Sequence, residues 1–257
     1  MKTNISKILK KERAIFLAYD QGLEHGPIDF NDKNVDPNYI IKIAKEGGYN
    51  ALIFQKGIAE KYNEEIKKSK IPLIVKLNGK TNLVKGEPIS NQICTVEEAI
   101  KLGAVAVGYT LYIGSEHESK MFDEFAEIEK EAHKKGLTVI AWIYPRGRGI
   151  KKHSKRELMA YAARTGLEIG ADIAKIQYNG NPEDLKWAVK SAGKTRVIIA
   201  GGIKKGDSQL IKQVKEIMEC GAVGLAIGRN IWQNKDPLEI TKKMKKIIWS
   251  EIKNEKK

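Results

Sequence analysis

The chain has 257 residues, 42% of them hydrophobic, and a formal net charge of +14. That is enough material for a large core, but no apolar window is long enough for a membrane span and no N-terminal run suits a signal peptide. Cys94 and Cys220, the two cysteines, have no metal-ligand spacing, which predicts a reduced, cytoplasmic setting. The basic excess admits nucleic acid as a partner. However, only seven of the 46 basic side chains are arginine, and the lysines alternate with glutamates along helical patterns, as in 61–68. Such faces are solvated surface and a compositional habit of thermophiles. No aromatic-studded basic stripe of the kind that binds single strands appears, so nucleic acid is not expected, and the charge suits phosphorylated substrates just as well.

Apolar runs and helical patterns alternate along the chain. A first strand is predicted over 14–20, then a polar loop and a helix over 37–46. Strand 51–55 is followed by helix 56–68, and strand 72–77 by a long loop, 78–93. Thr95 and Glu98 make a capping-box pattern at the start of helix 95–102. Strand 104–108 precedes helix 116–135, which Gly136 stops. Strand 138–143 pairs with helix 155–169, strand 172–177 with helix 182–191, and strand 196–200 with helix 207–219. Strand 222–227 and helix 236–252 complete the series. Near-continuously apolar strands separated by helices indicate a parallel sheet buried on both faces. Eight of them in about 250 residues, with no linker or compositional break, predict one α/β domain over 1–257, a single (β/α)8 TIM barrel.

In that fold, chemistry gathers where the strands end. The first strand ends in Asp20, the third carries Lys76 and Asn78, the fifth Trp142 and Tyr144, and the sixth Lys175 and Gln177. Lys175, between Ala174 and Ile176, is either an edge-strand lysine that discourages pairing or an amine aimed into a site. Residues two apart share a face, so Trp142 and Tyr144 point together, as do Lys76 and Asn78. Trp142 suits core packing as well as a pocket wall; Tyr144 is held extended by Pro145. Gly201-Gly202 after strand seven and Gly228-Arg229 after strand eight form two glycine turns. They are either ordinary turns or a phosphate grip of backbone N–H groups and a bidentate guanidinium.

The same residues carry a resemblance. Tyr19-Asp20-Gln21-Gly22-Leu23-Glu24-His25-Gly26-Pro27, Trp142-Ile143-Tyr144-Pro145-Arg146-Gly147, the strand-six Lys175, Ala200-Gly201-Gly202-Ile203-Lys204 and Gly228-Arg229-Asn230-Ile231-Trp232-Gln233 are together similar to the archaeal-type class I fructose-1,6-bisphosphate aldolases of the DeoC/FbaB family. The likeness runs from the first strand to the eighth. A related branch, the aminodideoxyheptulosonate synthases, shares the lysine and the Tyr-Pro-Arg-Gly segment. The Asp-Gln-Gly-x-Glu-His-Gly-Pro run favours the sugar-bisphosphate enzymes. Ile203 departs from the pattern where proline is expected, which affects loop stiffness.

The resemblance implies a lyase that needs no cofactor and no metal. Lys175 would form the Schiff base, Tyr144 would move a proton at the imine stage, and Asp20 would handle the C4 hydroxyl proton. Trp142 would shape the pocket, and Gly201, Gly202, Gly228 and Arg229 would hold the phosphate on the ketone fragment. For the distal phosphate Arg146, Lys204 and His25 are all candidates. The resemblance also implies a homo-oligomer, as large as a decamer. The rival enzyme, a zinc-dependent aldolase, needs clustered histidines, whereas His25, His117, His133 and His153 are scattered and only His25 sits at a strand-end loop. A barrel that merely binds sugar phosphates would keep the glycine turns but would not need Lys175 and Tyr144 at the mouth.

Overall fold

The structure, a computed structural model, describes residues 3–250. Eight parallel strands form one closed barrel: β1 (Ala14–Ala18), β2 (Ala51–Gln55), β3 (Leu73–Lys76), β4 (Ala104–Leu111), β5 (Thr138–Ile143), β6 (Ile173–Ile176), β7 (Arg196–Ala200) and β8 (Gly224–Ile227). Each strand pairs with the next, and β8 pairs back onto β1. Around them lie α1 (Pro37–Gly47), α2 (Lys56–Lys61), α3 (Asn63–Ser69), α4 (Val96–Lys101), α5 (Glu118–Lys134), α6 (Lys155–Glu168), α7 (Pro182–Ser191), α8 (Asp207–Glu219) and α9 (Pro237–Ile248). Among the described residues, no helix is long and apolar enough to cross a membrane.

Strand alternation divides the core in two. Phe16, Ile53, Ile74, Ile140, Trp142, Ile173, Ile198 and Ala226 belong to one inner cluster, joined by Ile8 and Leu9 from the segment before β1. Their neighbours Leu17, Leu52, Val75, Ala141, Ala174, Ile199 and Leu225 face outward into the helical layer. Both faces are therefore apolar, which is why the strands read as continuous runs. The same parity puts Lys76, two residues past Ile74, and Lys175, two past Ile173, inside the barrel.

Helix starts follow the local chemistry. Thr95 with Glu98, and Ser154 with Glu157, make reciprocal capping boxes. Asp36, Asn181 and Asp236 each cap a helix whose first residue is proline.

Several boundaries depart from the sequence reading. Strand 14–20 stops at Ala18, so Tyr19 and Asp20 lie just beyond it. Strand 104–108 continues to Leu111, because Tyr109, Thr110 and Leu111 find partners in Ala141, Trp142 and Ile143. Helix 56–68 breaks at Tyr62, whose φ of −112° is not helical. Of the closing helix, Pro237–Ile248 is helical, and positions 251–252 lie outside the described residues.

Candidate active site

Lys175 lies in register between Trp142 of β5 and Ile198 of β7, with 5% of its surface exposed. Its ammonium stands 4.7 Å from the centre of the Trp142 ring. Burial in the apolar barrel, with the like charge of Lys76 added, pulls its pKa down to about 8, against the opposing pull of the Asp20 carboxylate. Space for the indole comes from Gly108 on β4. A Cβ built there would lie 1.6 Å from the Trp142 ring, so any larger residue would displace it.

Asp20 is the counter-charge. Its Oδ2 accepts from Lys76 Nζ at 3.5 Å, and both side chains are buried. Burial alone would push the Asp20 carboxyl up, but Lys175 and Lys76 outweigh it and hold it below the usual carboxylate range. For Lys175 the Asp20 carboxylate pulls upward more than Lys76 pushes downward, so it is burial that keeps the amine easy to deprotonate.

Tyr144 follows β5, and its N–H donates to Leu111 O at 2.9 Å, extending the β4–β5 ladder into the mouth. Burial, then the charges of Asp20 and Glu24, raise its phenol well above the ordinary value. It therefore remains a protonated donor throughout the useful pH range.

The two glycine turns face each other across β7 and β8. The N–H of Gly201 donates to Ala226 O at 2.9 Å, and a Cβ on it would meet Ile227 at 2.7 Å. That glycine serves close strand packing, and its N–H is already committed. Gly202 takes φ +68°, a left-handed conformation suited to glycine. Gly228 presses against β1, where a Cβ would come within 2.5 Å of Ala18 O. Arg229 spans the gap, with Nη2 donating to Gly202 O at 3.3 Å and Nη1 to Asp29 Oδ1 at 3.4 Å.

Asp20, Lys76, Trp142, Tyr144, Lys175, Gly201, Gly202, Gly228 and Arg229 thus border one cavity, together with Glu24, His25, Arg146 and Gln177. Lys204 does not line it: its ammonium donates to Gln233 O at 2.7 Å on the exposed outer side. His25 borders the mouth but is engaged by Asp29, with Nδ1 2.7 Å from Oδ2. His133 is remote, held by Glu129 and by Asp172, the residue just before β6.

Asn78 shares a side with Lys76 yet stays out of the cavity. Its amide donates to Ser90 O and Thr110 O, and its Oδ1 accepts from Thr110 N, so it pins the 78–93 loop to β4. Two residues not singled out in the sequence matter here. Glu24 accepts from Arg146 Nη1 at 2.7 Å. Buried Asn230 donates to Gly201 O and Ile203 O and accepts from Lys205 N, stapling the β7 turn to the β8 turn.

A buried, partly deprotonated lysine beside an ionised carboxylate and a protonated tyrosine, at the mouth of a parallel barrel, is the equipment of imine chemistry. The family model of DeoC/LacD aldolases matches residues 14–234, and the chain belongs to that family. The chain is 47% identical over 243 residues to the class 1 fructose-bisphosphate aldolase of Thermoproteus tenax, covering 93% of this chain and 91% of the relative. It is 41% identical to the class 1 enzyme of Halobacterium salinarum over 248 residues, 96% of this chain and 94% of that one. Among solved structures, it resembles an archaeal fructose-1,6-bisphosphate aldolase whose catalytic lysine is covalently bound to the carbinolamine intermediate of its substrate. The TM-score is 0.90 at 45% identity, with 96% of this chain and 98% of that chain covered.

Proposed function

We infer that this chain is a class I, Schiff-base fructose-bisphosphate aldolase that reversibly cleaves fructose 1,6-bisphosphate to dihydroxyacetone phosphate and glyceraldehyde 3-phosphate. The observation that carries the assignment of residues is the depressed Lys175 amine between Trp142 and the Asp20–Lys76 pair.

In the proposed sequence, the neutral Lys175 amine adds to the C2 carbonyl, and the carbinolamine loses water to give an iminium ion. The iminium withdraws electrons from the C3–C4 bond. Asp20 takes the C4 hydroxyl proton as that bond breaks, the aldehyde leaves, and the electron pair remains as an enamine. Tyr144 donates a proton to C3 and is reprotonated from solvent. Hydrolysis of the iminium then frees the ketone and restores Lys175, and Asp20 releases its proton to solvent. The phosphate on C1 is held at Arg229 and the Gly202 and Gly228 turns, with Gly201 beneath them, and Trp142 forms the wall behind the reacting carbons. His25 and Arg146 border the distal side of the mouth.

A cytoplasmic homo-oligomer, as large as a decamer, completes the reading. Tyr161 and Trp187, exposed together in a groove between α6 and α7, offer it an apolar surface, and sedimentation of the purified chain tests it. For the chemistry, borohydride in the presence of dihydroxyacetone phosphate should inactivate the enzyme and add the reduced ketone to the Lys175 peptide. Activity that disappears with a chelator and returns with zinc would overturn the assignment.

A further inference from the structure

We propose that Glu24 is a positioning residue that sets the preference for a substrate with a second phosphate, by fixing Arg146 at the rim of the mouth. The proposal rests on the aldolase reading above and adds how this chain recognises the far end of its substrate.

An acidic side chain is out of place in a cavity meant for a bisphosphate, unless its charge is already engaged. Glu24 lines that cavity with only 12% of its side chain exposed, and its Oε1 holds Arg146 Nη1 at 2.7 Å. The same oxygen accepts from the Tyr112 hydroxyl at 3.4 Å. The guanidinium carbon lies 5.3 Å from the Tyr112 ring centre and 5.5 Å from that of Tyr144. Arg146 is thus lodged against two rings with a carboxylate fixing its direction, while 39% of its side chain stays open to solvent. Without that carboxylate a long arginine samples many rotamers, and a bidentate grip on phosphate requires one. Burial would push the Glu24 carboxyl up, but Lys76 and Arg146 hold it below the usual range, so it remains the anion this role needs.

The segment after β1 repeats the device. Asp29 stands to Arg229 as Glu24 stands to Arg146, at a contact of 3.4 Å. Arg229 follows β8 and Arg146 follows β5, three strands away round the barrel. One short loop therefore carries a carboxylate for each arginine, and both arginines line the cavity that holds Lys175.

The test compares fructose 1,6-bisphosphate with fructose 1-phosphate, which lacks the distal phosphate, in Glu24→Ala, Glu24→Gln and Arg146→Ala. Glu24→Ala should raise KM for the bisphosphate by about 10- to 100-fold, the range for losing one charge-assisted hydrogen bond, with kcat nearly kept. KM for the monophosphate should move by less than about threefold, within the scatter of a surface change. Glu24→Gln should fall between, because its amide oxygen still accepts from the guanidinium without the charge. Arg146→Ala should show the same selective defect, and adding Glu24→Ala to it should change nothing further. An equal KM rise on both substrates, or full additivity in the double variant, overturns the proposal. A Glu24→Ala protein that does not fold leaves the question to Glu24→Gln and Arg146→Ala, where the same selectivity is required. If the parent enzyme cleaves neither sugar and borohydride traps no imine, the aldolase reading fails instead.

Discussion

Lys175 and Trp142 are partners in register across β5 and β6, and the lysine ammonium lies 4.7 Å over the indole ring. The face of an indole stabilises a cation, so this contact favours the charged amine. Burial works the other way and wins, with Lys76 assisting, since the Lys175 amine titrates near 8. At pH 7 that leaves about one amine in ten neutral, against about one in 2,500 at the ordinary value. Borohydride trapping under saturating dihydroxyacetone phosphate should therefore accelerate about tenfold from pH 6 to pH 7 and flatten above pH 8. A rise that continues unbroken to pH 10 would show an amine of ordinary basicity.

The same depression costs stability. Lys175 has a lower pKa folded than unfolded, about 8 against 10.5, so between these values the unfolded chain binds more protons. Its penalty is full below pH 8 and is relieved as pH rises towards 10.5. Lys175→Met removes the penalty at neutral pH but leaves Asp20 with Lys76 alone. A net gain of about 1–3 kcal/mol is expected at pH 7, with no imine formed. Urea midpoints at pH 7 and pH 10 check this: the advantage over the parent should shrink at the higher pH.

Gly108 tests the packing behind the lysine. Alanine there places a methyl 1.6 Å from the Trp142 ring, so the indole must leave its rotamer or β4 must shift. Overpacking of this kind costs roughly 1–3 kcal/mol. Gly108→Ala should lower Tm and slow turnover, and Trp142→Phe in the same chain should recover part of the lost stability. Equal Tm for Gly108→Ala and the parent would mean that the indole moves freely.

Lys175 was visible in the sequence because a lysine inside an apolar strand breaks the local pattern, and strand period then assigned it to the barrel interior. The turns after β7 and β8 were equally legible, since glycine pairs at strand ends are local signals. The roles of Gly108, Asn78 and Asn230 were not, because each depends on a partner far away in the chain: Trp142 for Gly108, Thr110 for Asn78, and Gly201 and Ile203 for Asn230. Strand four was cut short at Gly108 for the same reason, as Thr110 and Leu111 are strand only because β5 lies beside them. Lys204 shows the opposite failure. It follows the glycine turn in sequence, but its ammonium is drawn outward to Gln233 O.

Asn230 links the two halves of the proposed phosphate grip through its three bonds to the β7 turn. Asn230→Ala should loosen Gly202 relative to Arg229 and leave the buried Gly201 carbonyl unpaired, at a cost of about 1–3 kcal/mol. Inorganic phosphate, as a competitive inhibitor, should bind about 10-fold or more weakly, matching that loss. Imine trapping at high ketone concentration should persist, because Lys175 lies two strands away on β6. Phosphate inhibition as tight as in the parent would show that the turns hold their shape without the amide.

In the proposed mechanism Tyr144 supplies a proton and Lys175 a bond, so the two can be separated. The phenol is held protonated by burial and by the Asp20 and Glu24 charges, so it is equipped to donate to the enamine carbon. Tyr144→Phe keeps the ring, its packing and the backbone bond to Leu111. The fold and the cation seat beside Arg146 should survive. Turnover should fall by about 10²- to 10⁴-fold, the usual contribution of a positioned acid–base group. Borohydride should still capture the ketone on Lys175, more slowly if the phenol also helps expel water from the carbinolamine. Lys175→Ala should fail both assays, because the other amine in the cavity, Lys76, is engaged by Asp20. Exchange of the C3 proton of dihydroxyacetone phosphate with deuterated water isolates the step: Tyr144→Phe should form the imine yet exchange hardly at all. Normal exchange in that variant would transfer the proton to another donor, with Asp20, 3.5 Å from Lys76, the next in place.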